Sequence, residues 1–186
     1  MRIIAGNFKG KKIHLPADKK TRPLRDLVKE SIFNLIEHSN KFNVKISNAN
    51  ILDLFSGSGS FGLECISRGA NKVTFVENYK SILNILKKNI NSISADGKCE
   101  IIEEDCFKVF ENEIFFKIKF DIIFIDPPYK EKKINFLLNK ISKYNFLKED
   151  GLVVLHRHKK DNIEISDTFN VFDQRSYGIS KIIIGN

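Results

Sequence analysis

From residue 51 onward the chain alternates short apolar runs with longer segments of helical spacing. That alternation predicts an α/β domain on a mostly parallel sheet with helices on both faces. Two further observations refine the prediction. The last two strand candidates have no helix between them, which puts an antiparallel hairpin at one edge. Acids and glycines also gather where successive strands end, the side on which open α/β sheets take their ligands.

The elements follow in order. RIIAGNFKGKKIHL (2–15) alternates loosely around Gly6 and Gly10 and reads as a small hairpin or extended arm. A helical pattern starts at Arg25 or Asp26, with Leu27, Val28, Ile32, Phe33, Leu35 and Ile36 as its apolar face. NVKISNAN (43–50) is polar and reads as a linker, dividing a basic extension, 1–45, from a main domain, 46–186. ILDLF is then a buried strand, and a glycine-rich turn opens a helix through FGLECISRG that Gly69 closes. KVTFVE (72–77) is a strand and 79–93 a helix. CEIIEED (99–105) is a strand, followed by a short helix through FKVF. FDIIFID (120–126) is the fourth strand, 134–144 a helix, GLVVLH (151–156) the fifth strand, and 163–173 and 179–184 form the terminal hairpin.

A length of 186 residues fits a single core of ordinary size. The net charge is +8, and residues 1–30 carry nine Lys or Arg against three acids. So dense a basic segment favours a polyanion partner. No apolar stretch is long enough to span a membrane, and MRIIAGNFKGKK lacks the apolar core of a secretion signal, so a cytoplasmic protein is expected. Cys65, Cys99 and Cys106 are odd in number and form no C-x-x-C pair; they are expected as reduced, buried thiols. His156 and His158 share a strand face as a metal pair would, but no further ligand set accompanies them, and no metal is expected.

DLFSGSGSFG (53–62) follows a strand and opens a helix, so Gly57, Gly59 and Gly62 read as letting a ligand approach the helix N-terminus. Read alone, G-x-G-x-x-G fits a dinucleotide turn. Asp53, at the strand end just before it, would repel a pyrophosphate and favour a cationic ligand. Glu77 ends the next strand, 20 residues after Gly57, where a carboxylate can take both hydroxyls of a ribose. Asp105 is placed to accept from an adenine amine, with Glu103 and Glu104 competing for that role. Phe55 and Cys106 are assigned to the same pocket. One ribose, one adenine, one cationic centre and no phosphate describe S-adenosylmethionine.

The fourth strand ends in Asp126-Pro127-Pro128-Tyr129. An exocyclic amine on a nucleobase is a poor nucleophile because its lone pair is delocalised into the ring. Asp126 and the Pro127 carbonyl can accept its two N–H bonds and favour the nitrogen that develops as it attacks. Pro127 and Pro128 fix the carbonyl's direction, and Tyr129 offers a stacking surface for the base.

With these residues in hand the chain resembles the bacterial 16S rRNA (guanine-N2)-methyltransferases. The likeness covers RIIAGNFKGKKIHLP, Thr21-Arg22-Pro23, DLVKESIFN, ILDLFSGSGSFGLECISRGA, VTFVE and DIIFIDPPY. It implies a Rossmann-like, seven-stranded class I methyltransferase fold, S-adenosylmethionine as methyl donor, and 16S rRNA in a partly assembled small subunit; a monomer is expected. Arg2, Lys9, Lys11, Arg22, Arg25 and Lys29 are the expected RNA contacts. The chain departs from the family at 24–29, where Leu24, Arg25, Leu27 and Lys29 stand. It departs again after the fifth strand, where VLHRHKK replaces an acidic stretch and forms a basic patch facing RNA or solvent. Two alternatives keep the chemistry, with DNA adenine or a protein glutamine amide as acceptor. Two others differ in class: an oxidoreductase, disfavoured by Asp53, and an rRNA-binding assembly module with vestigial catalysis.

Overall fold

The computed structural model describes residues 1–16, 24–111, 118–162 and 164–186. β1 (Asn50–Leu54), β2 (Lys72–Val76), β3 (Cys99–Ile102), β4 (Phe120–Ile125), β5 (Leu147–His158), β6 (Val171–Tyr177) and β7 (Ser180–Gly185) form one sheet in the order β3-β2-β1-β4-β5-β7-β6. The first five are parallel; β7 lies antiparallel to both β5 and β6. This is the expected Rossmann-like, seven-stranded arrangement with its terminal hairpin. Strand order reverses at β1 and β4, so a crevice opens beyond their C-terminal ends.

Residue parity along the strands assigns the two faces. Ile51, Val73, Phe75, Ile122, Phe124, Val154 and Ile182 pack with α1 (Asp26–His38), α2 (Ser60–Ser67) and α3 (Lys80–Ser92). Leu52, Leu54, Val76, Ile123, Ile125, Val153 and Ile183 pack beneath α4 (Ile134–Lys143). Strands buried on both faces leave no polar alternation, which is why they read as continuous apolar runs. Phe61 of α2 stacks on Phe124 of β4 at 4.0 Å and on Phe33 of α1 at 5.1 Å, so three elements share one aromatic column. None of the described helices is long and apolar enough to cross a membrane.

Several boundaries differ from expectation. β3 ends at Ile102, leaving Glu103 and Glu104 exposed beyond it, and the short helix is a 3-10 turn at Val109–Glu111. β5 spans twelve residues: it starts at Leu147, paired with Phe120 of β4, and β7 carries its far end out to His158. The first hairpin strand lies at Val171–Tyr177 and not at 163–173; most of its side chains are exposed, so it carries no apolar period. Cys99 is half-buried, unlike Cys65 and Cys106. In the 43–50 stretch read as a linker, Val44, Ile46 and Ala49 are buried in the same core as the arm and α2.

The arm is a hairpin, with Arg2 bridging Lys12 and the Ile3 N–H donating to the Lys11 carbonyl at 2.9 Å. It is tied to α2 by Glu64, a fully buried carboxylate that accepts from the Ile4 and Ala5 N–H groups at 2.7 and 2.9 Å. Gly6 (φ +77°) sits so close that a Cβ would lie 1.9 Å from the Ser67 carbonyl oxygen, so no other residue fits there. Lys29 corrects an expectation. Its side chain is 0% exposed, with its ammonium 3.2 Å from Glu64 Oε2 and 2.8 Å from the Arg2 carbonyl. It is an internal counter-ion, out of reach of RNA. Burial pushes this ammonium below its usual range, with Glu64 acting against the shift.

Candidate active site

The crevice holds about 530 Å³ and is lined by the ends of β1, β2 and β4 and the loops that follow β3 and β4. Asp53, Phe55, Gly57, Glu77, Asp105 and Cys106 lie on one side, and Asp126, Pro127, Pro128 and Tyr129 on the other. Pro16 and Leu24 reach the same crevice from the arm and the start of α1.

On the first side, Asp53 is 1% exposed and its Oδ2 accepts the Gly62 N–H at 3.0 Å. Burial raises its carboxyl well above the usual range; the Gly62 N–H opposes this, and the charges of Asp126 and Glu77 add to it. Glu77 folds the glycine turn around itself, accepting from Gly57 N–H at Oε2 and from Asn78 and Tyr79 N–H at Oε1, each at 2.9 Å. Asp105 caps its own turn by accepting the Phe107 N–H at 2.8 Å. Phe107 meets Phe55 edge-on at 5.8 Å, giving an aromatic wall. The buried Cys106 Sγ accepts the Phe55 N–H at 3.2 Å, and desolvation pushes this thiol upward.

The glycines divide by role. Gly57 (φ +54°) lines the crevice with only its own loop nearby. Gly59 and Gly62 do not line it. A Cβ on Gly59 would meet Leu86 at 2.5 Å, and one on Gly62 would meet Phe75 at 2.3 Å. They let the turn pack against Leu86 of α3 and α2 against Phe75 of β2, so their expected ligand contact is replaced by a packing role.

On the other side, Asp126 Oδ1 lies 2.8 Å from His156 Nδ1, whose Nε2 lies 2.9 Å from Ser180 Oγ. Arg157 is 2% exposed, and its guanidinium donates to the carbonyls of Pro128 (3.3 Å), Tyr129 (3.0 Å) and Glu131 (3.0 Å) while pairing with Asp161. The Tyr129 ring meets His158 edge-on at 4.9 Å. The basic reading of 156–160 is therefore corrected for His156 and Arg157, which face inward; Lys159 and Lys160 are exposed. Composition alone hid this, because β5's overhang onto β7 decides where the residues point. The one usable signal was the shared face of His156 and His158.

Of the expected RNA contacts, Arg25 is exposed next to the crevice-lining Leu24. Arg2, Lys9 and Lys11 are exposed on the arm, and Lys11 Nζ reaches the carbonyl of Ser92 at the far end of α3. Arg22, with Thr21 and Pro23, lies outside the described residues. No cluster of His, Cys, Asp and Glu able to hold a metal occurs among the described residues.

The donor set suits S-adenosylmethionine. The described crevice lining contains Asp53, Glu77, Asp105, Asp126 and Glu131 and no Lys or Arg, and Asp53 already takes the Gly62 N–H that a pyrophosphate would seek. An adenosine with a cationic tail meets those requirements; a dinucleotide does not.

Comparison with known proteins bears on the family and the fold. The family model described as Conserved hypothetical protein 95 matches residues 1–186. Ribosomal RNA small subunit methyltransferase D of Haemophilus influenzae is 31% identical, over 96% of this chain and 90% of its own length. A hypothetical protein of Thermus thermophilus superposes with a TM-score of 0.79 at 22% identity, covering 99% of this chain and 98% of the other. A methyltransferase-fold chain solved in complex with SAH superposes at 0.65 with 18% identity, covering 85% of this chain and 49% of the other.

Proposed function

The chain belongs to the Conserved hypothetical protein 95 family, and on that premise we propose that it is an S-adenosylmethionine-dependent methyltransferase of ribosomal RNA, acting on the exocyclic N2 amine of a guanine in the 16S rRNA of the small subunit. The observation that carries this reading is one crevice with two unlike walls: a carboxylate-rich wall without cationic side chains, facing Asp126-Pro127-Pro128-Tyr129. The relative from Haemophilus influenzae, named for the same subunit, supports the RNA acceptor. The SAH-bound neighbour supports the donor.

When bound, S-adenosylmethionine supplies an electrophilic methyl group on a sulfonium. Glu77 would hold its ribose and Asp105 its adenine, both lining the crevice, and Phe107 with Phe55 would wall the base. Asp53 supplies negative potential for the cationic tail. Asp126 and the Pro127 carbonyl accept the guanine N–H bonds, orienting the nitrogen lone pair and opposing its delocalisation into the ring. Asp126, with its side chain 19% exposed, has a route to pass the released proton to water. Tyr129, braced by His158, stacks on the extruded base. Arg25 and the arm's Arg2, Lys9 and Lys11 are the phosphate-facing cations, and the substrate proposed for them is a guanine in a partly assembled small subunit in the cytoplasm.

The test is transfer of labelled methyl from S-adenosylmethionine to small-subunit particles from cells lacking this gene, followed by mass mapping of the modified nucleotide. One N2-methylguanine in 16S rRNA, absent before incubation, is expected. Label in adenine, in protein or nowhere would overturn the assignment.

A further inference from the structure

We propose that the overhanging end of β5 is a clamp for the acceptor motif, in which His156 is a positioning residue that aims Asp126. This rests on the methyl-transfer reading above and concerns the same site.

Register makes the clamp. β4 and β5 pair as far as Ile125 with Leu155, so Asp126 and His156 come next, side by side on one face of the sheet. Past that point β5 has lost its parallel neighbour. Its end is held by β7 alone, through His156 with Ile182, Arg157 with Lys181 and His158 with Ser180. Alternate residues then face opposite ways, so His156 and His158 address one side of the motif and Arg157 the other.

The chemistry at His156 is constrained. An ionised carboxylate only accepts hydrogen bonds, so the 2.8 Å contact requires the hydrogen on Nδ1. In a neutral ring Nε2 then accepts from the Ser180 hydroxyl at 2.9 Å. The ring is 2% exposed, and the two side chains satisfy both its nitrogens, so it cannot rotate without losing buried bonds. Oδ1 of Asp126 is thereby engaged, and Oδ2 is left for the amine. A core histidine with a purely structural task would not need the crevice carboxylate as its partner.

Arg157 completes the clamp. It gathers the carbonyls of Pro128, Tyr129 and Glu131 and leaves the Pro127 carbonyl out of that set, the one assigned to the amine. Asp161 balances its charge. Three consecutive residues of β5 thus fix the carboxylate and the aromatic ring of the four-residue motif and the carbonyls that run from its end to Glu131.

The full-length chain is compared with His156→Leu and His156→Asn, because the Asn side-chain amide can replace the Nδ1 donor. With labelled donor and small-subunit particles lacking the modification, His156→Leu is expected to lower kcat on the order of 10- to 100-fold, the scale of one lost hydrogen bond to a charge. The donor Kd and the KM for the particle stay near wild type, and His156→Asn recovers most of the rate. Wild-type kcat in His156→Leu, or equal loss in both variants, overturns the proposal. Imidazole 15N NMR provides a readout independent of turnover and of the Leu variant's folding. His156 should be the Nδ1–H tautomer and lose that preference in Asp126→Ala, whereas an Nε2–H ring indifferent to Asp126 overturns the clamp. If the wild-type chain modifies no particle, the function reading falls, and the tautomer alone decides this inference.

Discussion

The two walls of the crevice are held in different ways. The donor wall is held largely by its own turns: Asp105 binds a backbone N–H two residues away, Asp53 one nine residues away, and Glu77 binds its next two neighbours and Gly57. The acceptor wall is held from a distance. His156 lies 30 residues from Asp126, and Arg157 lies 29, 28 and 26 residues from the carbonyls it gathers. Backbone-satisfied turns define a standing cradle, whereas a side-chain clamp defines the direction of one carboxylate. The first suits recognition of a ligand that recurs across many enzymes, and the second suits a particular acceptor.

The comparison breaks or holds first on a crossed pair of substitutions. Asp126→Ala should reduce kcat by about a thousandfold, within the range for loss of a positioned acid–base group, while donor affinity by calorimetry is retained. Glu77→Ala should do the reverse, weakening donor binding by about 10- to 100-fold with little change in kcat at saturating donor. If Asp126→Ala weakened donor binding as much as Glu77→Ala, the walls would not be separable.

Stability should distinguish the walls next. Arg157→Met leaves three loop carbonyls and the Asp161 carboxylate without their buried partner. It should cost about 3 kcal/mol, roughly 10 °C of melting midpoint for a chain of this size. Glu77→Ala, in a partly exposed turn, should melt within a few degrees of wild type. Equal midpoints would mean that Arg157 does not hold the acceptor loop.

The same difference governs how much could be read from the residues beforehand. Strand-ending acids and the glycine turn are local patterns, so β1, β2, their helices and the placing of Asp53, Glu77, Asp105 and Asp126 in one crevice were legible. Gly59 and Gly62 were misread because a glycine that admits a ligand and one that admits Leu86 or Phe75 look alike in sequence. Lys29 was counted with its exposed basic neighbours because only folding brings Glu64 beside it. His156 and Arg157 read as a basic patch because their meaning depends on β7, whose contribution to β5 is a pairing register and not a residue pattern.

The smallest effect expected is also the most direct reading of the donor wall's charge. Burial, with Asp126 and Glu77 nearby, holds the Asp53 carboxyl well above its usual range, and the Gly62 N–H offsets this in part. A raised value means that the ligand-free folded chain keeps this proton at pH values where the unfolded chain has lost it. Its stabilising contribution is therefore complete below the ordinary carboxylate pKa of about 3.9 and fades as pH rises through the folded value. A cationic ligand beside Asp53 favours the ionised form, so donor binding must expel the proton, and affinity must rise with pH until the free site has ionised. Calorimetry in buffers of unlike protonation enthalpy should register net proton release, up to about one per site on the acid side of that titration. Asp53→Asn should abolish both the release and the slope of affinity against pH. No net release in the wild-type chain would mean that Asp53 serves only the Gly62 N–H, leaving the cationic tail to solvent.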